Sequence, residues 1–258
     1  MLQEKAEPAA APARGASRSV VSRVLQVTGE LLLTAGVVLL LFVAWQLWWT
    51  NLDADARQRE AVRDFARDLG GPASPASPGA NHGTDRAVVA AEPDEGSTIG
   101  VVYVPRFGAE YTRPVVQGTS PAVLDTLGLG HYEGTAMPGA AGNFALAGHR
   151  QTHGAVLDHI DALVPGDRIY VQTRDGYYIY RFRNSQIVLP SATDVLLPVP
   201  AQPGAAPRDS YLTMTSCNPR FGSQERFIAY SVLERWQPAA AGPPADIAAQ
   251  VASSVGGG

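Results

Sequence analysis

Hydrophobic and polar positions divide the chain into a long apolar run, a charged stretch, a region of short strands and flanks rich in Ala, Pro and Gly. Residues 31–49, LLLTAGVVLLLFVAWQLWW, carry no charge over 19 positions. A helix of that length crosses about 30 Å of hydrocarbon. Trp45, Trp48 and Trp49 lie at the end of the run, where aromatic side chains meet a membrane interface. The pattern predicts one transmembrane helix.

The length of this run favours an uncleaved signal anchor over a secretory signal peptide. Signal peptides have apolar regions of roughly 7–15 residues and shorter charged regions before them. The triplet 54–56 (Ala-Asp-Ala) matches a cleavage pattern, but the match is weak in a chain so rich in alanine. The numbers of Lys and Arg residues before and after the run are equal, so they do not determine its orientation in the membrane. Because the large domain follows a single anchor, we expect residues 1–30 inside the cell and the domain outside.

The regions flanking the main domain are expected to lie outside any packed core. Residues 51–69 look helical but carry charge on almost every face, which is typical of a solvated juxtamembrane helix. With the Pro/Gly/Ala linker that follows, this segment covers 50–96. Residues 237–258 have similar composition and are expected to form a disordered tail. The folded domain is therefore placed at 97–236.

This domain reads as mainly β. Short runs rich in β-branched and aromatic residues alternate with Gly and Pro, which predicts seven or eight strands with short helices. Such a pattern favours a closed barrel or a sandwich. Pro114 suggests that its strand lies at an edge, and residues 188–208 form a long loop. The predicted strands are 98–104, 111–116, 143–149, 168–172, 177–187, 210–216 and 227–233, and residues 122–129 and 156–163 are predicted to be helical.

Charge and cysteine content exclude several classes of protein. The 258 residues have a net charge of −4 and 17% charged residues, which argues against a nucleic-acid partner. Cys217 is the single cysteine, so an intramolecular disulfide and a Cys-only metal site are impossible.

The most reactive candidate is this cysteine, because it lies at the end of a predicted strand. Alternation puts Leu212 and Met214 towards the core and Cys217 on the opposite face. If the next strand pairs across the intervening loop, Arg226 lies opposite the thiol. An arginine there favours the thiolate and offers donors to an oxyanion. The alternatives are an inert buried cysteine and a surface arginine, with Arg220 as a competing partner.

A cysteine nucleophile also needs an imidazole as acid and base. His149 ends another predicted strand, and His131, His153 and His159 remain alternatives. A zinc site is a further possibility, because His149 and His153 are four residues apart. Gly148 and the glycine after His153 make a helix there unlikely, and no glutamate follows His149, so no metal is expected.

Three motifs together resemble the sortases of Gram-positive bacteria. They are Leu-Ala-Gly-His149-Arg, Thr213-Met-Thr-Ser-Cys217, and Arg226 nine residues after the cysteine. The segment His131-Tyr132-Glu-Gly-Thr135, followed by Pro138-Gly-Ala-Ala-Gly-Asn143, is most similar to class E sortases of actinobacteria. The N-terminal anchor with an Ala/Pro-rich linker is similar too. The resemblance covers about 97–236.

The resemblance implies an eight-stranded β-barrel and a cysteine transpeptidase without a cofactor. Cys217 would be the nucleophile, His149 the acid and base, and Arg226 the oxyanion or substrate clamp. Tyr132, Thr215 and Ser216 would contact substrate. The partners would be secreted proteins with a C-terminal LPXTG-type or LAXTG-type sorting signal, and a peptidoglycan-precursor amine, at the cell membrane.

Some residues depart from the family pattern. Met214 stands where leucine is usual and keeps an apolar group; Ser216 replaces threonine, which loosens a substrate contact; and Asn218 stands where class E sequences often have histidine. Two other functions remain open. One is a hydrolytic cysteine peptidase of the same fold, and the other is a non-catalytic, membrane-tethered binding domain.

Overall fold

The protein is a β-barrel with helices at both ends of the chain. The computed structural model describes residues 20–70 and 86–256. The helices are α1 Val20–Asp68, α2 Pro121–Leu124 and α3 Ala248–Gly256. The strands are β1 Thr98–Tyr103, β2 Thr112–Gln117, β3 Leu129–His131, β4 Gly142–Ala147, β5 Arg168–Gln172, β6 Gly176–Val188, β7 Ser210–Asn218 and β8 Glu225–Pro238.

The barrel closes in the order β1-β2-β3-β4-β7-β8-β6-β5, which confirms the predicted architecture. The β2–β3 and β4–β7 pairs are parallel and the others are antiparallel. The edge position predicted for Pro114 is wrong, because β2 has a neighbour on each side. The ladder to β3 starts one residue later, at Val115. The predicted helix 122–129 is also too long, since α2 ends at Leu124 and Leu129 begins β3.

The main core fills the barrel. Its members come from alternate positions of the strands, together with the turns around Leu157 and Ile160. Leu212 and Met214 are fully buried there, as the alternation predicts. The strand that ends at Cys217 is therefore anchored on its inner face by two large apolar side chains.

A second apolar cluster covers the outer face of β1, β5 and β6. Tyr103, Tyr170 and Ile179 point outward from these strands. They are covered by Val62 and Phe65 on α1 and by Ile247 and Val251 after β8. Residues before and after the predicted domain 97–236 are thus part of the folded domain.

This packing shows that two predictions were wrong. The segment 51–69 is not solvated on all faces, because Ala54, Gln58, Val62 and Phe65 form a buried stripe at helical spacing. The charges between them hide that stripe in the sequence. The tail is not disordered where the structure describes it, because residues 239–256 form two 3-10 turns and α3. The described part of the linker, residues 86–96, also contacts the barrel through Glu92, which accepts a hydrogen bond from Gln117 Nε2 at 2.6 Å.

Charged groups hold the C-terminal segment to the barrel. Asp246 accepts hydrogen bonds from Tyr170 Oη at 2.7 Å and Arg168 Nη1 at 3.0 Å. Beside it, hydrogen bonds from Arg168 and Arg181 lower the pKa of the Glu234 carboxyl to about 2. These contacts explain why a sequence of low complexity takes up a defined position.

Deleting both flanks should destabilise the domain strongly. A fragment 97–236 exposes the outer tyrosines and Ile179, whereas a fragment 47–256 keeps them covered. Full burial of a large apolar side chain contributes about 1.5–3 kcal/mol, so we expect a loss on the order of 5 kcal/mol. Urea denaturation of the two fragments measures it. An Arg57→Ala control in fragment 47–256 should change little, since this side chain is exposed. Equal free energies of unfolding for the two fragments would refute the role of the flanks.

The N-terminal part of α1 is the membrane-anchor candidate. Among the described residues, 20–46 belong to one compact unit, and Leu47 begins the second unit. Among the described residues, α1 is the helix with an apolar stretch long enough to cross a membrane, and none of that stretch is buried in protein. This agrees with the predicted anchor.

Candidate active site

Cys217 lies opposite Arg226 where β7 and β8 meet. The antiparallel register pairs Cys217 with Arg226 and the next residue, Asn218, with Glu225. This confirms the strand pairing predicted from the sequence. The thiol is free and half-buried. It is therefore reachable from solvent while its strand is held by the core.

Part of the Arg226 guanidinium is available to donate further hydrogen bonds. Nη1 donates to the carbonyl oxygens of Ser223 and Glu225, both at 2.9 Å. Within residues 20–70 and 86–256, no hydrogen bond is assigned to Nε or Nη2. These groups are N–H donors in a fixed planar arrangement that suits a carbonyl oxygen or an oxyanion.

His149 reaches the same edge of the barrel from the other side. β4 runs parallel to β7, and the last pair is Ala147 with Thr215. Gly148 N continues the ladder by donating to Thr215 O at 3.1 Å. His149 lies two residues after the end of β4, and Cys217 lies two residues after Thr215 on the neighbouring strand. Neighbouring strands lie about 4.8 Å apart. The register thus places the end of β4 on one side of β7 and Arg226 of β8 on the other.

Asp125 is a site residue that sequence reasoning missed. Its Oδ1 lies 2.7 Å from His149 Nε2. A carboxylate at this distance accepts the Nε2–H proton and fixes the orientation of the ring. Asp125 directly follows α2. It lies 24 residues before His149 in the chain. No local motif connects the two residues, so only the fold reveals the pair.

The three alternative histidines differ in burial and in their neighbours. His131 is fully buried, and its Nδ1 and Nε2 lie 2.7 Å from Gln117 Oε1 and 2.9 Å from Thr135 Oγ1. Burial lowers its pKa, which favours a neutral structural role. His159 is exposed. His153 lies beside His149, with ring centroids 5.0 Å apart.

The turn that carries these two histidines is held in place by α1. Asn51 Oδ1 accepts from Gly154 N at 3.0 Å, and Gln58 Nε2 donates to His153 O at 3.1 Å. His153 and Ala155 adopt left-handed backbone angles, with φ of 54° and 45°. Such conformations are costly for residues other than glycine and persist where the surroundings impose them. The helix therefore fixes the position of the His149–Ala155 turn.

The predicted substrate residues fall into two environments. Thr215 on β7 is buried, and its Oγ1 lies 2.9 Å from Oη of Tyr132, a half-buried residue just after β3. Ser216 is buried, and its hydroxyl donates to Gly148 O at 2.8 Å. That contact ties the chain before His149 to β7.

Arg150 is another residue that the motif analysis did not single out. Its side chain is 3% exposed and pairs with Asp161 at 2.6 Å. Nη1 donates to Asn218 Oδ1 at 2.8 Å, and Asn218 Nδ2 donates to Glu225 Oε2 at 2.7 Å. Asn218, a departure from the family pattern, thus bridges two charged groups and fixes the chain just after Cys217.

A cavity of about 750 Å³ lies elsewhere, between α1 and the residues before β2. Its lining includes Arg59, Tyr111 and His159 but none of Cys217, His149 and Arg226. Cavity volume alone would therefore miss the cluster of reactive groups, which lies at an open strand edge.

Comparison with known proteins agrees with this geometry. The family model described as the sortase domain matches residues 102–234. The chain is 38% identical to Sortase SrtE1 of Streptomyces coelicolor over 224 residues, 84% of this chain and 59% of the relative. It is 34% identical to Sortase SrtE2 of the same organism over 247 residues, 90% of this chain and 91% of the relative.

A solved structure extends the likeness to the fold. The structure of sortase E from Streptomyces avermitilis matches with a TM-score of 0.55 and 35% identity, covering 60% of this chain and 99% of that one. The chain thus spans 59% of SrtE1 but nearly all of SrtE2 and of this solved structure.

Proposed function

The chain belongs to the sortase family, with class E relatives, and we propose that it is a membrane-anchored cysteine transpeptidase with Cys217 as nucleophile. The observation that best supports the proposal is the strand register, which pairs Cys217 with Arg226 and brings the end of β4, two residues before His149, beside β7. A thiolate, a proton carrier and an oxyanion donor are the groups that acyl transfer needs.

The first half-reaction forms a thioester. The Cys217 thiolate attacks the carbonyl carbon of a Thr–Gly bond, and the carbonyl oxygen becomes an oxyanion beside the free donors of Arg226. The C–N bond then breaks as protonated His149 gives its proton to the glycine nitrogen. The peptide after the cleaved bond leaves as an amine, and the threonine carbonyl stays on sulfur.

The second half-reaction transfers the protein. An amine attacks the thioester carbonyl, His149 accepts the proton of that amine, and Cys217 leaves as thiolate. Asp125 supports both steps because it holds the imidazole ring in a fixed orientation. In the absence of an amine, water would resolve the same thioester, which is the hydrolytic alternative.

Sortases act on proteins that carry cell-wall sorting signals. We place the signal of an LAXTG or LPXTG type along β7, with the Tyr132–Thr215 hydroxyl pair beside it. The acceptor would be an amine of a peptidoglycan precursor. The apolar part of α1 would anchor the enzyme with its barrel outside the cell.

Intact mass spectrometry tests the proposed reaction. A soluble fragment 47–256 is mixed with LAXTG and LPXTG peptides, with and without a glycine-based or diaminopimelate-based amine. We expect an acyl mass on Cys217 that disappears on addition of amine and gives a ligated product. Hydrolysed peptide alone, with or without amine, would indicate the peptidase. No adduct and no product would leave only a binding function.

Tyr132→Phe should weaken use of the sorting peptide without unfolding the domain. The change removes the hydroxyl that lies 2.9 Å from Thr215 Oγ1. Because the proposed peptide path runs beside this hydroxyl pair, we expect the variant to lose one hydrogen bond to the bound peptide, worth about 1–1.5 kcal/mol, and kcat/KM to fall roughly 5-fold to 10-fold. Steady-state kinetics with the better peptide measures it. Tyr230→Phe is the matched control, because Tyr230 Oη contacts Gln186 on the outer surface. Equal losses in both variants would contradict a specific role for Tyr132.

A further inference from the structure

We propose that His149, His153 and Asp125 form a binding site for a transition-metal ion such as Zn²⁺. One donor atom from each residue lies within 4.8 Å of the other two. The inhibitory consequence drawn below rests on the function proposed above, whereas the binding site itself does not. The sequence argued against a metal because the His-x-x-x-His spacing is not helical; the turn instead brings the two rings together.

The distances suit a tetrahedral ion after a small adjustment. His149 Nε2 and His153 Nε2 lie 2.7 Å and 3.9 Å from the same oxygen, Asp125 Oδ1. Bonds of about 2.0–2.1 Å to zinc place neighbouring ligand atoms about 3.3 Å apart in a tetrahedron. The two observed distances lie on either side of that value. A shift of about 0.6 Å in each contact would produce the site.

The hydrogen bond of His153 Nδ1 leaves Nε2 as the nitrogen available to a metal. His153 Nδ1 lies 3.0 Å from the backbone oxygen of Asp125, and a carbonyl oxygen can only accept. Nδ1 therefore carries a proton, so Nε2 is the nitrogen that the neutral ring can offer to a metal, 3.9 Å from Asp125 Oδ1. Metal-binding histidines are held by this type of outer contact.

The surroundings hold the ligands while leaving them open to solvent. Gln58 and Asn51 of α1 fix the turn, and His153 keeps a left-handed φ of 54° there. The side chains of His149, His153 and Asp125 are 29%, 30% and 39% exposed. Two imidazoles and one carboxylate leave a fourth position for water, as in other open zinc sites.

An ion at this site would block acyl transfer. The metal replaces the proton on His149 Nε2, so the ring can then carry at most one proton, on Nδ1. It can no longer form the cation that protonates the leaving amine. Occupancy should therefore stop the first half-reaction and be reversed by a chelator.

Calorimetry on the metal-free, full-length protein in detergent tests the site with ZnCl₂ alone. We expect one ion per chain, at least tenfold weaker binding in His153→Gln, and binding within twofold of the unmodified protein in Cys217→Ala. His159→Gln is the matched control and should bind like the unmodified protein, because His159 is exposed and outside the cluster. Unchanged affinity in His153→Gln would overturn the proposal. Loss of binding in Cys217→Ala would assign the ion to the thiol instead and would also overturn it.

Inhibition is measured separately, as the Zn²⁺ concentration that halves each variant's own basal turnover. That concentration should rise at least tenfold in His153→Gln. Zinc binding that depends on His153, in a protein without turnover on any peptide, would support the site and contradict the proposed function. Turnover without zinc binding would contradict the site alone.

Discussion

We expect Cys217→Ala to abolish acyl-enzyme formation and to lower the proposed transpeptidation by about 10⁴-fold or more. Removal of a nucleophile from a cooperating set of catalytic groups leaves only the contribution of binding and oxyanion stabilisation. His149 and Arg226 remain on either side of the vacated position, but neither can hold the acyl group. The measurement is single-turnover mass spectrometry with the better peptide.

The variant must be shown to fold for this result to carry weight. Cys217 is half-buried at the end of β7, so loss of its sulfur should change the free energy of unfolding by about 1 kcal/mol or less. Urea denaturation and circular dichroism check this. Ser223→Ala is a suitable control, because the Arg226 guanidinium contacts the backbone oxygen and not the side chain of Ser223. Persistent turnover in folded Cys217→Ala would refute the assignment of the nucleophile.

Arg226→Lys should lower kcat by about 10²-fold to 10³-fold although it preserves the charge. Lysine has no planar fork. Its donors all lie on one nitrogen, so an ammonium that keeps the two backbone contacts of Nη1 has no donor at the positions of Nε and Nη2. Removing one oxyanion donor typically has an effect of this size. Pre-steady-state kinetics of acylation measures it directly.

Arg220→Lys is the matched control for this prediction. Arg220 lies in the loop between β7 and β8 and pairs with Asp158 at 2.5 Å. The sequence left it open as a competing partner of the thiol. The same loss in both variants would point to a general effect of charge near the loop. A loss confined to Arg220→Lys would reverse the assignment.

The sequence predicted the parts of the site that depend on strand periodicity. Alternation along 210–216 placed Leu212 and Met214 in the core, and the short loop after it implied the Cys217–Arg226 pair. The sequence also predicted that strands end at His149 and near Cys217. Periodicity could show that each of these residues lies at a strand end, but not that β4 runs beside β7.

The features that the sequence did not predict depend on contacts between distant segments of the chain. Asp125 reaches His149 only because α2 is a single short turn, whereas the sequence suggested a helix up to Leu129. The stripe along 51–69 was obscured because Gln58 is buried in it and arginines surround it. The C-terminal residues have weak helix signals, and tertiary contacts with Tyr170 and Arg168 determine their structure.

The apolar cluster on the outer face of β1, β5 and β6 has a consequence for the synthesis of the protein. Phe65 is synthesised before the barrel strands, whereas Ile247 and Val251 follow all eight of them. Until they do, the outer tyrosines have only half of their apolar partners, and the domain remains short of its final stability. A chain that stops soon after β8 would therefore carry Cys217, His149 and Arg226 and still be a target for quality-control proteases. The segment that ends with α3 thus makes the lifetime of the domain depend on residues that lie beyond its barrel.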